Sequence, residues 1–161
     1  MNGELRVGQA FDVHRIGIDP HRPMVLGGCR FEGLPGLVGH SDGDAIAHAV
    51  ADAMLGAAGL GDIGQHFPDT DELWRDADSM ELLRTVVAQL AEGGWRVEHV
   101  DATVMLERPK LADRRDAIRE SLASVLGSVN VKFTTGERMG FVGREEGIAA
   151  LAVATLEPAG S

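Results

Sequence analysis

Two histidines and one aspartate have the side-chain chemistry of a metal site. Asp12 and His14 are separated by a single residue. Alternate residues of an extended chain point the same way, so both side chains are expected to face one ion. His48 lies on a predicted helix, on the face opposite Ile46 and Val50, and the three residues together suit zinc with one position left open for a substrate. The alternatives are a turn aspartate with a surface histidine, and an exposed polar helix face.

His48 has two further carboxylates nearby in the sequence. Asp44 and Asp52 lie four residues to either side of it and therefore share its helix face. A carboxylate one turn from a ligating imidazole can orient the ring and fix which nitrogen carries the proton. Asp42 and Asp44 do not form a calcium loop, because the EF-hand pattern of carboxylates is absent, and a helix N-cap is predicted there instead.

A second group of residues has the chemistry of a phosphate site. Residues 134–137, Thr-Thr-Gly-Glu, follow a predicted strand, and Arg144 comes shortly after. Hydroxyls, loop amides and a guanidinium suit phosphate oxygens, and Glu137 could hold a magnesium ion that bridges them. Pro109 and Lys110 either end a strand or place a cation near a phosphate. An ordinary β-turn is the alternative for residues 134–137.

A glycine-rich pattern in residues 59–64 does not indicate a dinucleotide site. It matches G-x-G-x-x-G, but that fingerprint must join a strand to a helix. Here the pattern follows a predicted helix and precedes a loop that contains Pro68. The sequence therefore argues against a Rossmann-type cofactor site.

Composition narrows the class of protein. The chain has 161 residues, 44% hydrophobic and 25% charged, with a formal net charge of -10. These values fit one ordinary domain, residues 1–161, and disfavour sequence-independent binding to nucleic acid. The single cysteine, Cys29, excludes an intrachain disulfide and a cysteine-based zinc site. No membrane span and no signal peptide at residues 1–6 are recognisable, so we expect a cytoplasmic protein without a membrane partner.

Hydrophobic periodicity predicts the elements that must position these residues. Apolar runs predict strands over residues 5–11, 100–106, 129–133 and 148–156, and the glycine pair at 27–28 predicts a hairpin turn. A first helix is predicted over residues 44–55, with Gly56 as the stop. A second begins at Asp78, where Glu81 completes a capping box, and ends at the glycines at 93–94; a third is predicted over residues 113–126. This order is typical of an α+β fold: one domain with a mixed β-sheet, helices mainly on one face and a small N-terminal hairpin.

Together the motifs resemble the 2-C-methyl-D-erythritol 2,4-cyclodiphosphate synthase family over almost the whole chain. Each block is modest alone, but their order and spacing are highly specific. The blocks are Phe11-Asp12-Val13-His14, Gly39-His40-Ser41-Asp42-Gly43-Asp44 through His48, Gly61-Asp62-Ile63-Gly64 with Phe67-Pro68-Asp69-Thr70-Asp71, Arg108-Pro109-Lys110-Leu111, Thr134-Thr135 with Glu137, and Gly140-Phe141 with Gly143-Arg144.

The resemblance implies an activity, an assembly and two metals. Members of the family convert 4-diphosphocytidyl-2-C-methyl-D-erythritol 2-phosphate into 2-C-methyl-D-erythritol 2,4-cyclodiphosphate and CMP, in non-mevalonate isoprenoid biosynthesis. They are homotrimers with active sites between neighbouring subunits. Each site uses a zinc ion and a magnesium or manganese ion. The same phosphorus–oxygen lyase reaction is therefore expected here.

The resemblance also implies roles for individual residues. It places zinc ligands at Asp12, His14 and His48, a magnesium or manganese ligand at Glu137, and transition-state stabilisers at His40 and Thr135. Residues 62–64 match the part that holds the erythritol, and residues 106–112 match the cytidine pocket. The implied substrate contacts are Asp12, His14, His40, Ser41, Asp62, Ile63, Gly64, Phe67, Pro68, Asp69, Thr70, Asp71, Leu106, Glu107, Arg108, Pro109, Lys110, Leu111, Ala112, Thr134, Thr135, Gly136, Glu137, Phe141 and Arg144.

Two other functions use some of the same residues. A metal-dependent nucleotide phosphodiesterase would employ the same ligands with water as nucleophile, and would release CMP without a cyclic product. A non-catalytic trimer would bind isoprenoid diphosphates in a central cavity near Arg144. The retained metal ligands and Thr135 favour the synthase. Gly136, which stands where many relatives carry a third threonine, leaves only its amide for a substrate contact.

Overall fold

The computed structural model describes residues 4–160, so the ends of the predicted 1–161 domain, residues 1–3 and 161, lie outside the described residues. The strands are β1 (Arg6–Arg15), β2 (Pro23–Leu26), β3 (Cys29–Pro35), β4 (Trp95–Met105), β5 (Val129–Thr134) and β6 (Gly147–Pro158). The helices are α1 (Ala45–Ala58), α2 (Ile63–His66), α3 (Ser79–Glu92), α4 (Arg115–Leu126) and α5 (Gly140–Gly143), with short 3-10 turns at Glu72–Trp74 and Ala112–Arg114.

Four strands form one mixed sheet in the order β1-β6-β4-β5. β4 and β5 are parallel, whereas β6 is antiparallel to both β1 and β4. β2 and β3 form the separate hairpin that the glycine pair predicted. The predicted α+β fold is therefore confirmed. The register also places the ends of β1, β4 and β5 and the start of β6 at one end of the sheet.

Small side chains bring α1 close to the sheet. A Cβ atom on Gly8 of β1 would lie 2.0 Å from the carbonyl oxygen of Ala53, so a larger residue there would push the helix away. Most of the buried residues of α1 are alanines, and Ala150 and Ala152 of β6 are fully buried. This close packing positions the side chain of His48 beside β1.

Several predicted boundaries change in the structure. β1 continues to Arg15, so Asp12 and His14 lie within the strand and not after it, because β6 pairs along its whole length. The predicted stop at Gly56 is wrong: α1 continues to Ala58, and Gly59, with φ 73°, supplies the left-handed cap. β5 and β6 extend one or two residues beyond their predicted limits, whereas β4 begins five residues before its predicted start, because it pairs with β6 there, and ends at Met105, one residue before its predicted end.

The start of α3 is as predicted, but only half of its capping box forms. The Asp78 carboxylate accepts a hydrogen bond from the amide of Met80 and caps the helix. Glu81 instead accepts a hydrogen bond from Arg84 one turn later, at 2.5 Å. The cap fixes the first residue of the helix, Ser79, which is 1% exposed.

The face of the sheet away from the helices is partly apolar and exposed. Val7, Phe11 and Val13 of β1 are 62%, 54% and 44% exposed, and Leu151, the partner of Phe11 on β6, is 37% exposed. Scattered apolar residues on a surface are ordinary, but a continuous patch on neighbouring strands indicates an interaction surface. Within residues 4–160, no helix combines the length and apolar character needed to cross a bilayer.

Candidate functional site

Asp12, His14 and His48 converge on one point, as predicted. Asp12 Oδ2 lies 2.8 Å from His14 Nε2 and 3.5 Å from His48 Nδ1, and the two nitrogens are 3.2 Å apart. One ligand atom from each residue lies within 4.8 Å of the others. The alternation of β1 aims the first two side chains at the same face, and α1 brings the third across the strand.

The protons of this cluster leave room for a cation. His14 Nδ1 lies 2.8 Å from the carbonyl oxygen of Val38, which can only accept, so Nδ1 carries the proton and Nε2 presents a lone pair. Asp12 Oδ2 is buried and has no hydrogen-bond donor under this assignment. Because an unpaired buried carboxylate oxygen is costly, and because carboxylate and imidazole are suitable ligands, the three residues fit a divalent metal ion.

Burial and charge act in opposite directions on these groups. Burial raises the pKa of the Asp12 carboxyl, but when the rings of His14 and His48 are protonated, the hydrogen bonds and positive charge that they then supply outweigh burial and hold that pKa below its usual range. Burial lowers the pKa of His14, but the Asp12 carboxylate outweighs this and raises it above the ordinary 6.5. Asp12 is therefore ionised near neutral pH, while His14 retains a proton longer than an ordinary histidine.

Metal affinity should consequently depend on pH in one direction. A metal ion must displace any proton on His14, and the raised pKa of His14 extends that competition above pH 6.5. We expect the apparent affinity for zinc to fall as the pH is lowered, with the decline already present above that value, while Asp12 adds no competition there. Titration calorimetry across this range, in two buffers of different ionisation enthalpy, should detect proton release. An affinity independent of pH would contradict the assignment of His14.

The carboxylates predicted beside His48 have other partners. Asp44, fully buried, caps α1 through the amide of Ala47 and accepts hydrogen bonds from the amides of Gly27 and Gly28, and burial raises its pKa. Asp52 accepts a hydrogen bond from the amide of Ile63 at 2.5 Å. The prediction that these two carboxylates orient the imidazole is therefore wrong, because each is used to tie another segment to α1.

His48 Nε2 instead lies against two hydroxyls. Ser41 Oγ is 3.0 Å away and Ser79 Oγ is 2.9 Å away. Ser79 also donates its hydroxyl to the carboxylate of Asp42. Sequence reasoning missed Ser79, and no local signal could have identified it, since it lies 31 residues from His48.

A cavity of about 420 Å³ opens beside the three ligands. The aromatic rings of Phe67 and Trp74 form one wall in an edge-to-face contact, with centroids 4.9 Å apart. His40 Nε2 lies 3.2 Å from the carbonyl oxygen of Asp71, and this contact links the loop that carries His40 to the loop that carries Asp71. Predicted residues that line this cavity are His14, His40, Ser41, His48, Ile63, Gly64, Phe67 and Asp69, and the lining residues that were not predicted are Gly39, Trp74 and Leu82.

Some residues predicted to contact a substrate do not line this cavity; two of them cap the short helices beside it. Asp62 caps α2 through the amide of Gln65, and Asp71 caps the following 3-10 turn through the amide of Leu73. Pro68 and Thr70 belong to the same loop but are not among the lining residues. Their predicted contacts with a substrate stay predictions.

The second group of predicted residues surrounds the ends of β4 and β5. A cavity of about 220 Å³ is lined by Leu106, Pro109, Lys110, Leu111, Ala112, Arg115, Phe133, Thr134 and Thr135. An adjoining cleft of about 1020 Å³ includes Glu107, Arg108, Lys110, Thr135 and Glu137. The Thr135 hydroxyl donates to Glu137 Oε1 at 2.9 Å and accepts from the Glu137 amide at 3.2 Å.

Glu107, which lines the larger cleft, is hydrogen-bonded to this loop. Its carboxylate accepts hydrogen bonds from the amides of Gly136, at 2.9 Å, and Arg138, at 3.3 Å. The side chain predicted to touch a substrate is thus directed at the loop backbone. At Gly136 an added Cβ would lie 2.6 Å from the amide nitrogen of Gly143, so the glycine matches close backbone packing there.

The two groups lie at the same end of the sheet but at opposite edges. The register pairs His14 of β1 with Ile148 of β6, and Met105 of β4 with Ala149 of β6 and with Thr134 of β5, so Thr135 follows the last pair at this end of the sheet. Three strand spacings separate β1 from β5, which corresponds to about 14 Å. Asp12, His14 and His48 therefore lie well apart from the Thr135 loop within one chain.

A family model described as the YgbB family matches residues 5–157. The chain belongs to the YgbB family. A 2-C-methyl-D-erythritol 2,4-cyclodiphosphate synthase of Thermosynechococcus vestitus is 51% identical over 158 residues, which cover 96% of this chain and 97% of that protein. The solved structure of Plasmodium falciparum IspF in a CDP complex shares 30% identity and a TM-score of 0.83, covering 98% of this chain and 99% of the other.

One relative of the YgbB family is a longer protein. The bifunctional enzyme IspD/IspF of Anaeromyxobacter dehalogenans is 54% identical over 160 residues. That alignment covers 97% of this chain but only 41% of the bifunctional enzyme. The similarity therefore concerns one part of that relative.

Two residues implied by the resemblance to the cyclodiphosphate synthase family lie apart from the cavities described. Arg144 donates to both carboxylate oxygens of Glu146, at 3.0 Å and 3.2 Å. Phe141 lies half-buried on the short helix α5. Their contacts with a substrate stay predictions.

Proposed function

We propose that this protein converts 4-diphosphocytidyl-2-C-methyl-D-erythritol 2-phosphate into 2-C-methyl-D-erythritol 2,4-cyclodiphosphate and CMP. Membership of the YgbB family and the near full-length similarity to named synthases support this function. The observation that carries it is the convergence of Asp12, His14 and His48 beside a cavity of suitable size for a polyol phosphate. A cytoplasmic single domain belongs to the same proposal.

The proposal assigns a metal to each group of residues. Zinc would be held by Asp12, His14 and His48, and magnesium or manganese by Glu137, whose exposed carboxylate is a suitable oxygen ligand. When bound, the two ions would supply the positive charge needed to bring anionic phosphates together. A chain with a formal net charge of -10 has few cations to spare for this purpose.

The reaction joins two phosphates of one substrate. An oxygen of the 2-phosphate forms a bond to the β-phosphorus, and the bond from that phosphorus to the bridging oxygen of the diphosphate breaks. CMP leaves with the electron pair. Phosphoryl transfer depends mainly on positioning and charge stabilisation. Thr135 and His40 would donate hydrogen bonds to phosphate oxygens whose charge changes during the reaction, in exchange for the contacts that they make here with Glu137 and the Asp71 carbonyl.

The separation of the two groups supports sites between subunits, and the family resemblance implies that the assembly is a homotrimer. A hydrogen-bond donor must lie within about 3 Å of the oxygen that it stabilises. Thr135 and the metal cluster, about 14 Å apart by strand spacing, cannot meet this condition for one phosphate within one chain. We infer that the loop of one subunit faces the cluster of its neighbour, with the exposed residues Val7, Phe11 and Val13 buried by association.

The cytidine pocket is assigned to the smaller cavity. Residues 106–112 form most of its wall, and Lys110 lines both this cavity and the adjoining cleft. Backbone groups exposed beyond the end of β4 would pair with the base, while Lys110 would lie near the diphosphate. The CDP complex of the Plasmodium falciparum relative is consistent with a nucleotide ligand.

Replacing Lys110 with alanine should weaken CMP binding. Losing one charged hydrogen bond to phosphate corresponds to about a 10-fold rise in Kd. The remaining affinity should also respond less to salt. Titration calorimetry at two salt concentrations measures both effects. Arg84→Ala is the matched control, because Arg84 is an exposed cation paired with Glu81 on α3. Unchanged CMP affinity in Lys110→Ala would place the nucleotide elsewhere.

Product analysis distinguishes the synthase from the alternative nucleotide phosphodiesterase. The protein is incubated with the diphosphocytidyl substrate, zinc and magnesium, and the products are identified by phosphorus NMR. The proposal expects CMP and cyclic diphosphate in equal amounts. CMP with a linear phosphate product would show that water is the nucleophile and would overturn the cyclisation.

A further inference from the structure

The environment of His48 Nε2 determines which nitrogen of the ring carries a proton. For His48 Nδ1 to bind a metal, its lone pair must be free, so the proton of the neutral ring must lie on Nε2. An Nε2–H group needs an acceptor, and the hydroxyl oxygens of Ser41 and Ser79 lie 3.0 Å and 2.9 Å away. A hydroxyl can donate or accept, so distance alone does not settle the direction.

Asp42 determines the direction of the hydrogen bond between Ser79 Oγ and His48 Nε2. The Ser79 hydroxyl donates to Asp42 Oδ1, and the Ser79 amide donates to Asp42 Oδ2 at 3.0 Å. An ionised carboxylate only accepts, so the single hydroxyl proton of Ser79 is committed to Asp42. The remaining lone pairs of Ser79 Oγ can then only accept, and the nearest available donor is His48 Nε2–H.

Asp42, Ser79 and His48 form a chain of hydrogen bonds, and the first two residues are held rigidly. Ser79 is 1% exposed and is the first residue of α3, where the Asp78 cap fixes its position. The carboxylate of Asp42 also accepts a hydrogen bond from the amide of Asp44 at 3.0 Å. Asp42 and Ser79 are therefore anchored to the starts of α1 and α3, and His48 projects from α1 between them.

Without this chain of hydrogen bonds, the proton of His48 could occupy a different ring nitrogen. If the proton of His48 moved to Nδ1, it would donate to His14 Nε2, 3.2 Å away, or to Asp12 Oδ2, 3.5 Å away. Such a hydrogen bond would satisfy the ligand atoms among themselves and would have to be broken before a metal could bind. An acceptor at Nε2 disfavours that closed arrangement.

We propose that Asp42 and Ser79 are positioning residues that hold His48 with its proton on Nε2 and so keep Nδ1 ready for the metal. This inference rests on the metal role proposed above for Asp12, His14 and His48. Ser41 contributes less to the direction, because its hydroxyl receives only a long hydrogen bond, 3.4 Å, from the amide of Gly43 and is not committed to a carboxylate.

Two substitutions test the inference through metal affinity. Ser79→Ala removes the hydroxyl that accepts from His48 Nε2–H. Asp42→Asn introduces an amide that can donate to Ser79 Oγ and so reverse the direction of these hydrogen bonds. Loss of such an outer partner of a metal-binding histidine typically costs about 10- to 100-fold in affinity. We expect this weakening for zinc, measured by competition with a chelator, in both variants. Ser124→Ala, on the exposed part of α4, is the matched control and should bind as the wild type does.

The ring proton itself provides a readout that a general loss of stability would not change. In metal-free protein, at a pH where both imidazoles are neutral, nitrogen-15 NMR should find the His48 proton on Nε2 in the wild type and a substantial population on Nδ1 in Ser79→Ala. The wild-type measurement needs no variant, so misfolding of a variant leaves the inference testable. Circular dichroism verifies that each variant is folded.

The outcomes separate this inference from the proposed function. Wild-type protein that binds no zinc would overturn both. Wild-type protein that binds zinc, together with unchanged affinity and unchanged proton position in Ser79→Ala, would overturn only the role of Ser79 and Asp42. A wild-type proton on Nδ1 would likewise reject that role while leaving the metal site standing.

Discussion

Replacing Thr135 with alanine is expected to lower kcat by about 100-fold or more while changing KM only modestly. A donor aimed at oxygens whose charge changes as CMP leaves is worth most in the transition state. A 100-fold loss corresponds to about 2.7 kcal/mol. Steady-state kinetics with saturating zinc and magnesium gives both constants.

Thr135→Ser is the matched control, because it keeps the hydroxyl that donates to Glu137 and accepts from its amide. It should retain most of the activity.

Glu137→Gln should behave differently from the Thr135 variants, raising the magnesium or manganese concentration needed for half-maximal rate without altering zinc content. If Thr135→Ala changes only KM, the hydroxyl contributes to binding and not to the transition state.

Replacing His48 with alanine should remove most of the zinc. The wild type is expected to hold about one zinc per subunit, and the variant leaves one carboxylate and one imidazole, which are too few ligands for tight binding. Elemental analysis after dialysis measures the content, and activity should fall with it. His21→Ala, an exposed histidine outside the cluster, is the control. Full retention of zinc in His48→Ala would exclude this residue as a ligand.

Mixing Thr135→Ala with His48→Ala, each of which is expected to have little activity alone, tests the proposed assembly. If sites form between subunits, a trimer of mixed composition contains some interfaces with an intact loop on one side and an intact cluster on the other. Random exchange of subunits in a symmetric oligomer then restores about a quarter of the sites. Sites contained within single chains would restore none, and light scattering verifies that the mixed species is a trimer.

Much of the site follows from short-range properties of the sequence. The spacing of Asp12 and His14 places them on one face of any extended segment, since side chains alternate with a period of two. The apolar periodicity of residues 44–55 predicts a helix that places His48 on the face opposite Ile46 and Val50. These features need only local geometry and burial, which is why the ligands and the α+β class could be predicted without coordinates.

Tertiary packing decided the partners of those residues. Ser79, 31 residues from His48, and Glu107, 29 residues from Gly136, reach their sites only because α3 packs beside α1 and β4 pairs with β5. Asp44 and Asp52 share the helix face of His48 by sequence, yet they bind the hairpin turn and α2. Hydrogen bonds between distant segments depend on which faces meet and how closely, and local periodicity carries no information on that. The sequence by itself therefore predicted that Asp12, His14 and His48 form one group, and the fold determined which residues orient them.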